Sequence, residues 1–330
     1  MQTAVRKRAA DFDFWGHTPT PEFCENSHER GPRSPAGTAQ GFDPPLGLHR
    51  SAAGTARAVC AGVKRAAAHW RRCASAGAAR AVFAGAARAR RSAGRHGERL
   101  AEVVSPVCRY EDIEMVQAAV RAIRAAGAKA DRSCGIHIHI GLGEHTPQSL
   151  RRLVNIVNAK EDLLTMASGI TPERRERWCR PVEQRFLTEL NRRKPTTMED
   201  FARIWYARSG GSNSDWRRCA AQHYDHSRYH LLNLHATFST ERPAHTIEFR
   251  AFNGTLHAGE IKAYIQLCLA ISAQALSTKA ASSTRPVTDN PKYTFRCWLL
   301  RLSFIGDEFS TAREHLLKKL PGNAAWRQAS

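Results

Sequence analysis

The sequence predicts an α+β domain over residues 101–330, preceded over residues 1–100 by a basic, Ala/Arg-rich segment. Three observations carry this reading. Helical and alternating periodicities are interspersed after residue 100, two neighbouring strands there read as an antiparallel pair, and no apolar period organises the first hundred residues. With 330 residues the chain can bury a full core without staples. Its 42% hydrophobic and 24% charged residues are a globular balance. No apolar run is long enough to cross a bilayer, and Val5-Arg-Lys-Arg followed by Asp11-Phe-Asp-Phe contains no signal-peptide core. Nine cysteines, an odd number with no Cys-x-x-Cys pair, fit reduced thiols. The expectation is a cytoplasmic protein with no membrane partner; the oligomeric state is open.

The net charge of +20 is unevenly spread. Residues 1–100 carry 17 basic and 7 acidic side chains, so half of the excess lies in under a third of the chain. Within 51–100 there are 18 alanines and 11 Arg or Lys, with Glu98 the one acid. Alanine and arginine favour helix, but a helix without an apolar stripe has nothing to dock. The segment therefore reads as disordered, or as the aberrant product of GC-rich DNA translated in an unintended frame. Its Lys and Arg could also neutralise phosphates, which makes a noncatalytic nucleic-acid binder one candidate function.

After residue 100 the elements follow one another with short connections. Glu102-Val-Val-Ser reads as extended, stopped by Pro106. Asp112 precedes a helix through Ala126, with Ile113, Val116, Val120 and Ile123 on one face and Gly127 as its stop. Cys134–Gly141 alternates, with Ile136, Ile138 and Ile140 on one side and His137 and His139 on the other. Thr146-Pro147 and Thr171-Pro172 are helix starts, and a further helix runs from Thr197 through Trp205. Tyr229–Phe238 and His245–Phe252 read as two strands joined around Glu241. Helices follow over Ala258–Leu276, Tyr293–Phe304 and Glu308–Leu320.

Two strands concentrate the chemistry. Gly135-Ile-His-Ile-His-Ile-Gly presents two imidazoles to one cation or one phosphate. Thr246-Ile-Glu-Phe-Arg places Glu248 and Arg250 on one face, either as an ion pair or as a metal ligand beside a phosphate clamp. Between them, His223, His226, His230 and His235 lack the spacing and the cysteine partners of a zinc finger. A zinc hydrolase built on His137, His139 and one of these four is nonetheless a second candidate function. Arg228 and Asn233 suit a carboxylate or phosphate.

Read in series, Glu102-Val-Val-Ser-Pro, Cys134-Gly-Ile-His-Ile-His-Ile, Ser227-Arg-Tyr-His-Leu-Leu-Asn-Leu and Thr246-Ile-Glu-Phe-Arg-Ala-Phe-Asn-Gly-Thr-Leu-His resemble the amidoligase family. The resemblance runs from Glu102 to about Arg327, ending in Arg313-Glu-His-Leu…Gly322-Asn-Ala-Ala-Trp-Arg. It implies a glutamine-synthetase-like curved antiparallel sheet backed by helices. It also implies a carboxylate–amine ligase that activates a small-molecule or peptide carboxylate as an acyl phosphate and passes it to an amine or ammonia. ATP and Mg2+, or Mn2+, would be the cofactors. Carried over position by position, Glu102, His137 and Glu248 would be metal ligands. His139, Arg228, Asn233 and Arg250 would hold the nucleotide or substrate, with Arg250, Arg228 and His139 acting in catalysis. The family's opening strand, Phe-Gly-x-Glu-x-Glu, has no counterpart in residues 1–100. That leaves the sheet incomplete at the N-terminus with an exposed edge, and makes an inactive copy one reading of this chain.

Overall fold

Alternation decides the centre of the sheet. Gly135–Gly141 (β3) buries Ile136, Ile138 and Ile140 and leaves the intervening histidines less covered, as period two requires. The computed structural model describes residues 103–131, 134–207, 215–241 and 245–325, together with the backbone of Phe12 and Asp13. Apart from that pair, the expectations for residues 1–100 lie outside the described residues, and so does Glu102.

Thr246–Asn253 (β5) pairs antiparallel with β3, and the two-residue strand Leu232–Asn233 (β4) pairs with the far side of β5. On the other side of β3 lies Phe12–Asp13 (β1), and beyond it Val107–Cys108 (β2). The described strands form one antiparallel sheet in the order β2-β1-β3-β5-β4. One row across it reads Val107, Asp13, His139, Glu248, Asn233. The next reads Cys108, Phe12, Ile140, Ile247. The backbone of Phe12 and Asp13 lies along the edge of β3 and pairs with Ile140 and His139, N–H and C=O groups that an exposed edge would leave without partners.

The register of β3 on β5 shifts between Ile136 and Ile138, so Arg250 and Ala251 together oppose His137. Such a bulge re-aims side chains: Phe249 and Phe252 both reach the core while Arg250 stays on the histidine face.

Helices cover the isoleucine face. Ile113–Ala125 (α1) buries the four residues its spacing predicts. Pro147–Ser168 (α2) starts from a reciprocal cap in which Thr146 Oγ1 accepts from Ser149 N and Ser149 Oγ accepts from Thr146 N. It stops at Gly169, whose φ of 64° suits a residue without Cβ. Pro172–Arg177 (α3), Gln184–Arg193 (α4), Met198–Tyr206 (α5) and Trp216–Ala220 (α6) follow. Ala258–Ser277 (α8) is apolar nearly all round, so it runs through the core against α1, α2 and β3. Pro291–Arg301 (α9) and Ser310–Lys318 (α10) close the far side. No described helix is long and apolar enough to cross a membrane.

Two strand expectations are corrected. Tyr229–Phe238 makes an isolated bridge from His230 to Arg180, joins the sheet at Leu232–Asn233 and then turns into the short helix His235–Phe238 (α7). The cause is local: Asn233 Oδ1 accepts from His235 N at 2.7 Å, and Thr237 Oγ1 donates to Thr246 O at 2.7 Å, which curls the chain onto β5. Upstream, Val103–Pro106 forms no ladder and the strand begins only after Pro106, a residue with no N–H to give.

Candidate active site

The face of the sheet opposite the isoleucines gathers side chains from β3, β4 and β5 around one carboxylate. Glu248 is buried between His139 and Asn233 in its row. Its Oε1 accepts from Arg250 Nη1 at 2.9 Å and lies 3.2 Å from His137 Nδ1 and 3.8 Å from His139 Nε2. Its Oε2 accepts from Asn233 Nδ2 at 2.5 Å. The same amide accepts His235 N–H through Oδ1, which fixes which end of Asn233 faces the carboxylate. His139 is oriented from behind by Thr246 Oγ1, 3.2 Å from its Nδ1.

Burial alone raises the Glu248 carboxyl pKa. The guanidinium of Arg250, with His139, His137 and Arg228 behind it, overrides that and holds it well below the usual carboxylate range. The His137 imidazole is pushed down to about 3, first by desolvation; Glu248 opposes this, and Arg250, His139 and Arg174 add to it. Near neutral pH the centre is therefore an ionised carboxylate beside a neutral His137.

Cationic charge exceeds anionic charge here. Arg250 is buried, and its Nε finds no acceptor among the described residues. Its guanidinium lies 5.6 Å from the ring centre of Tyr229. Arg228 donates from Nη1 to His223 O and lies 5.4 Å over the Tyr224 ring. A third guanidinium, Arg174 on α3, is buried beside the start of β3 and donates to Cys134 O and Arg250 O, both at 3.3 Å. It binds the start of β3 to the bulge in β5. Gly135 makes room for it: a Cβ at that position would stand 1.9 Å from Arg174 Nη2. Two guanidinium groups acting on one buried carboxylate, with a third beside Arg250, favour an anionic ligand.

Six of the seven expected site residues fall on described residues. His137, His139, Asn233, Glu248 and Arg250 meet directly. Arg228 stands close enough to lower the Glu248 pKa. Glu102 lies outside the described residues. Arg174, Tyr229 and Trp178 were not singled out; Arg174 is one of three arginines in Pro-Glu-Arg-Arg-Glu-Arg, a string that reads as an exposed helix.

Magnesium and manganese take oxygen ligands. The single carboxylate here has Oε1 engaged by Arg250 and Oε2 by Asn233. Among the described residues no group of three or more His, Cys, Asp or Glu side chains is disposed to hold a metal ion. A divalent cation therefore does not fit the described residues by themselves. Among the described residues the zinc arrangement finds no third histidine either. His223 Nδ1 lies 3.4 Å from Glu241, His230 Nδ1 is 3.0 Å from Pro181 O, and His235 Nδ1 is 2.8 Å from the Tyr206 hydroxyl.

Comparison with known proteins bears on this geometry. No protein with a curated description and no solved structure matches the chain. A family model described as "Putative amidoligase enzyme" matches residues 54–272. The match begins inside the Ala/Arg-rich segment, upstream of the resemblance that starts at Glu102, and ends within α8. It takes in β3, β4 and β5 and every described residue of the site, and it spans about two thirds of the 330 residues. The chain belongs to the amidoligase family.

Proposed function

We propose that this protein is an ATP-dependent carboxylate–amine ligase working through an acyl phosphate, on a sheet of the glutamine-synthetase-like kind. The observation that carries the reading is the surplus of guanidinium groups around Glu248. Phosphoryl transfer needs fixed cations where charge spreads over the transferred group, in a place sheltered from water. Arg250, clamped between Glu248 and the Tyr229 ring, is one such cation, and Arg228 is a second.

An oxygen of the substrate carboxylate attacks the terminal phosphorus, the bond to the bridging oxygen breaks, and ADP leaves. The lone pair of ammonia or an amine then attacks the acyl carbon, the carbon–oxygen bond to phosphate breaks, and the nitrogen gives up a proton to the departing phosphate. In this scheme Arg250 and Arg228 take the charge of the transferred group, and His139 donates to one of its oxygens. Glu248 and Asn233 hold Arg250 and the sheet in register, and neutral His137 faces the ligand. The six cysteines among the described residues form no disulfide and suit a reducing compartment, and we place the protein in the cytoplasm.

The test is ADP release by the full chain supplied with ATP, magnesium, hydroxylamine and a panel of amino acids and dipeptides as carboxylates. Carboxylate-dependent ADP release with hydroxamate formation is expected, and it should fall at least a hundredfold in R250A. Equal ADP release with and without a carboxylate would contradict the ligase reading.

A further inference from the structure

Two large aromatic rings are exposed among the described residues, Trp178 at 40% and Tyr224 at 60%. Both belong to the surroundings of the site. Tyr224 lies under the Arg228 guanidinium. Trp178, just past the end of α3, meets Tyr229 edge to face, with ring centres 5.6 Å apart and planes at 63°. Tyr229 in turn carries the Arg250 guanidinium at 5.6 Å, and Arg250 holds Glu248. An aromatic path thus leads in two short steps from an exposed indole to the buried phosphate-binding cation. It is held in place by the backbone: Arg180 N donates to Tyr229 O and Leu231 N donates to Arg180 O, both at 3.0 Å. The outer indole contact is another planar cation, Arg177, 5.6 Å from the Trp178 ring.

A ligand matched to this path has a flat ring at one end and several negative charges at the other. We propose that Trp178, supported by Tyr229 and Arg177, is the platform on which the base of a nucleoside triphosphate stacks while its phosphates lie against Arg250 and Arg228. This rests on the ligase reading and names the part of the site that takes the base. Stacking of a base on an aromatic side chain is strong enough to govern affinity, and it explains why an indole is left open to water two ring contacts from a cluster of guanidinium groups.

The test is calorimetric titration of the full chain and of W178A, W178L and W178F with ATP and, separately, with inorganic tripolyphosphate. W178A and W178L are expected to weaken ATP binding about tenfold, and W178F by less than threefold, because a phenyl ring still stacks. Tripolyphosphate has no base, so its affinity should be the same in all four proteins, which also reports that each variant is folded. Unchanged ATP affinity in W178L, or an equal loss for ATP and tripolyphosphate, overturns the platform while leaving the phosphate site standing. If the unaltered chain binds neither ligand, the ligase reading falls and the platform with it.

Discussion

Arg250 and Glu248 stand two residues apart on the same strand and are joined by a 2.9 Å hydrogen bond from Nη1 to Oε1, with both side chains buried. A buried pair of this kind adds little stability over an apolar pair, but removing one partner leaves the other charged and unsolvated. E248A is therefore expected to lose about 3–5 kcal/mol in chemical denaturation, and E248M/R250M to lose much less than the two single changes added together. Additive losses would show that the two groups do not share their burial.

Gly135 and Arg174 form a second dependent pair. G135A puts a methyl group where the guanidinium lies, so Arg174 must leave its two carbonyl acceptors. The expected loss is about 1–3 kcal/mol, and most of it should vanish when G135A is made in an R174A background. A full loss in both backgrounds would place the strain elsewhere.

Acid sensitivity is expected from His145. Its Nδ1 lies 3.0 Å from Ser149 Oγ on α2, and its Nε2 lies 2.8 Å from Ser272 Oγ on α8. Desolvation, assisted by Arg152, pushes it down to about 4 from an ordinary value of 6.5. With the folded value below the unfolded one, the unfolded chain binds the proton more readily. The contribution is complete above pH 6.5 and is lost as pH falls toward 4, by about 3 kcal/mol in all. H145Q should flatten this part of a stability–pH curve; an unchanged acid limb would remove His145 as its source.

The parts of the fold that follow from side-chain period were open to reading. His137 and His139 alternate with isoleucines, and Thr146-Pro147 and Thr171-Pro172 announce their helices by cap chemistry. Helix α4 announces itself less clearly: Phe186, Leu187 and Leu190 stand at helical spacing, but polar residues fill the rest of it. The expected strand beyond Asn233 failed for a different reason. The amide of Asn233 captures the N–H of His235, a side-chain bond that no periodicity announces. Glu248 and Arg250 could be placed on one face from their spacing, whereas the bulge that holds Arg250 there depends on pairing with β3. Arg174 carries no sequence signal because its role is set by the space at Gly135, thirty-nine residues away in sequence.

The account turns on the guanidinium groups around Glu248 being the seat of a polyphosphate. The most direct measurement is the affinity of the full chain for ATP by calorimetry, compared with R250A and R228A. Saturable binding that weakens at least tenfold in each variant is the predicted result. ATP bound equally well by all three proteins would contradict it.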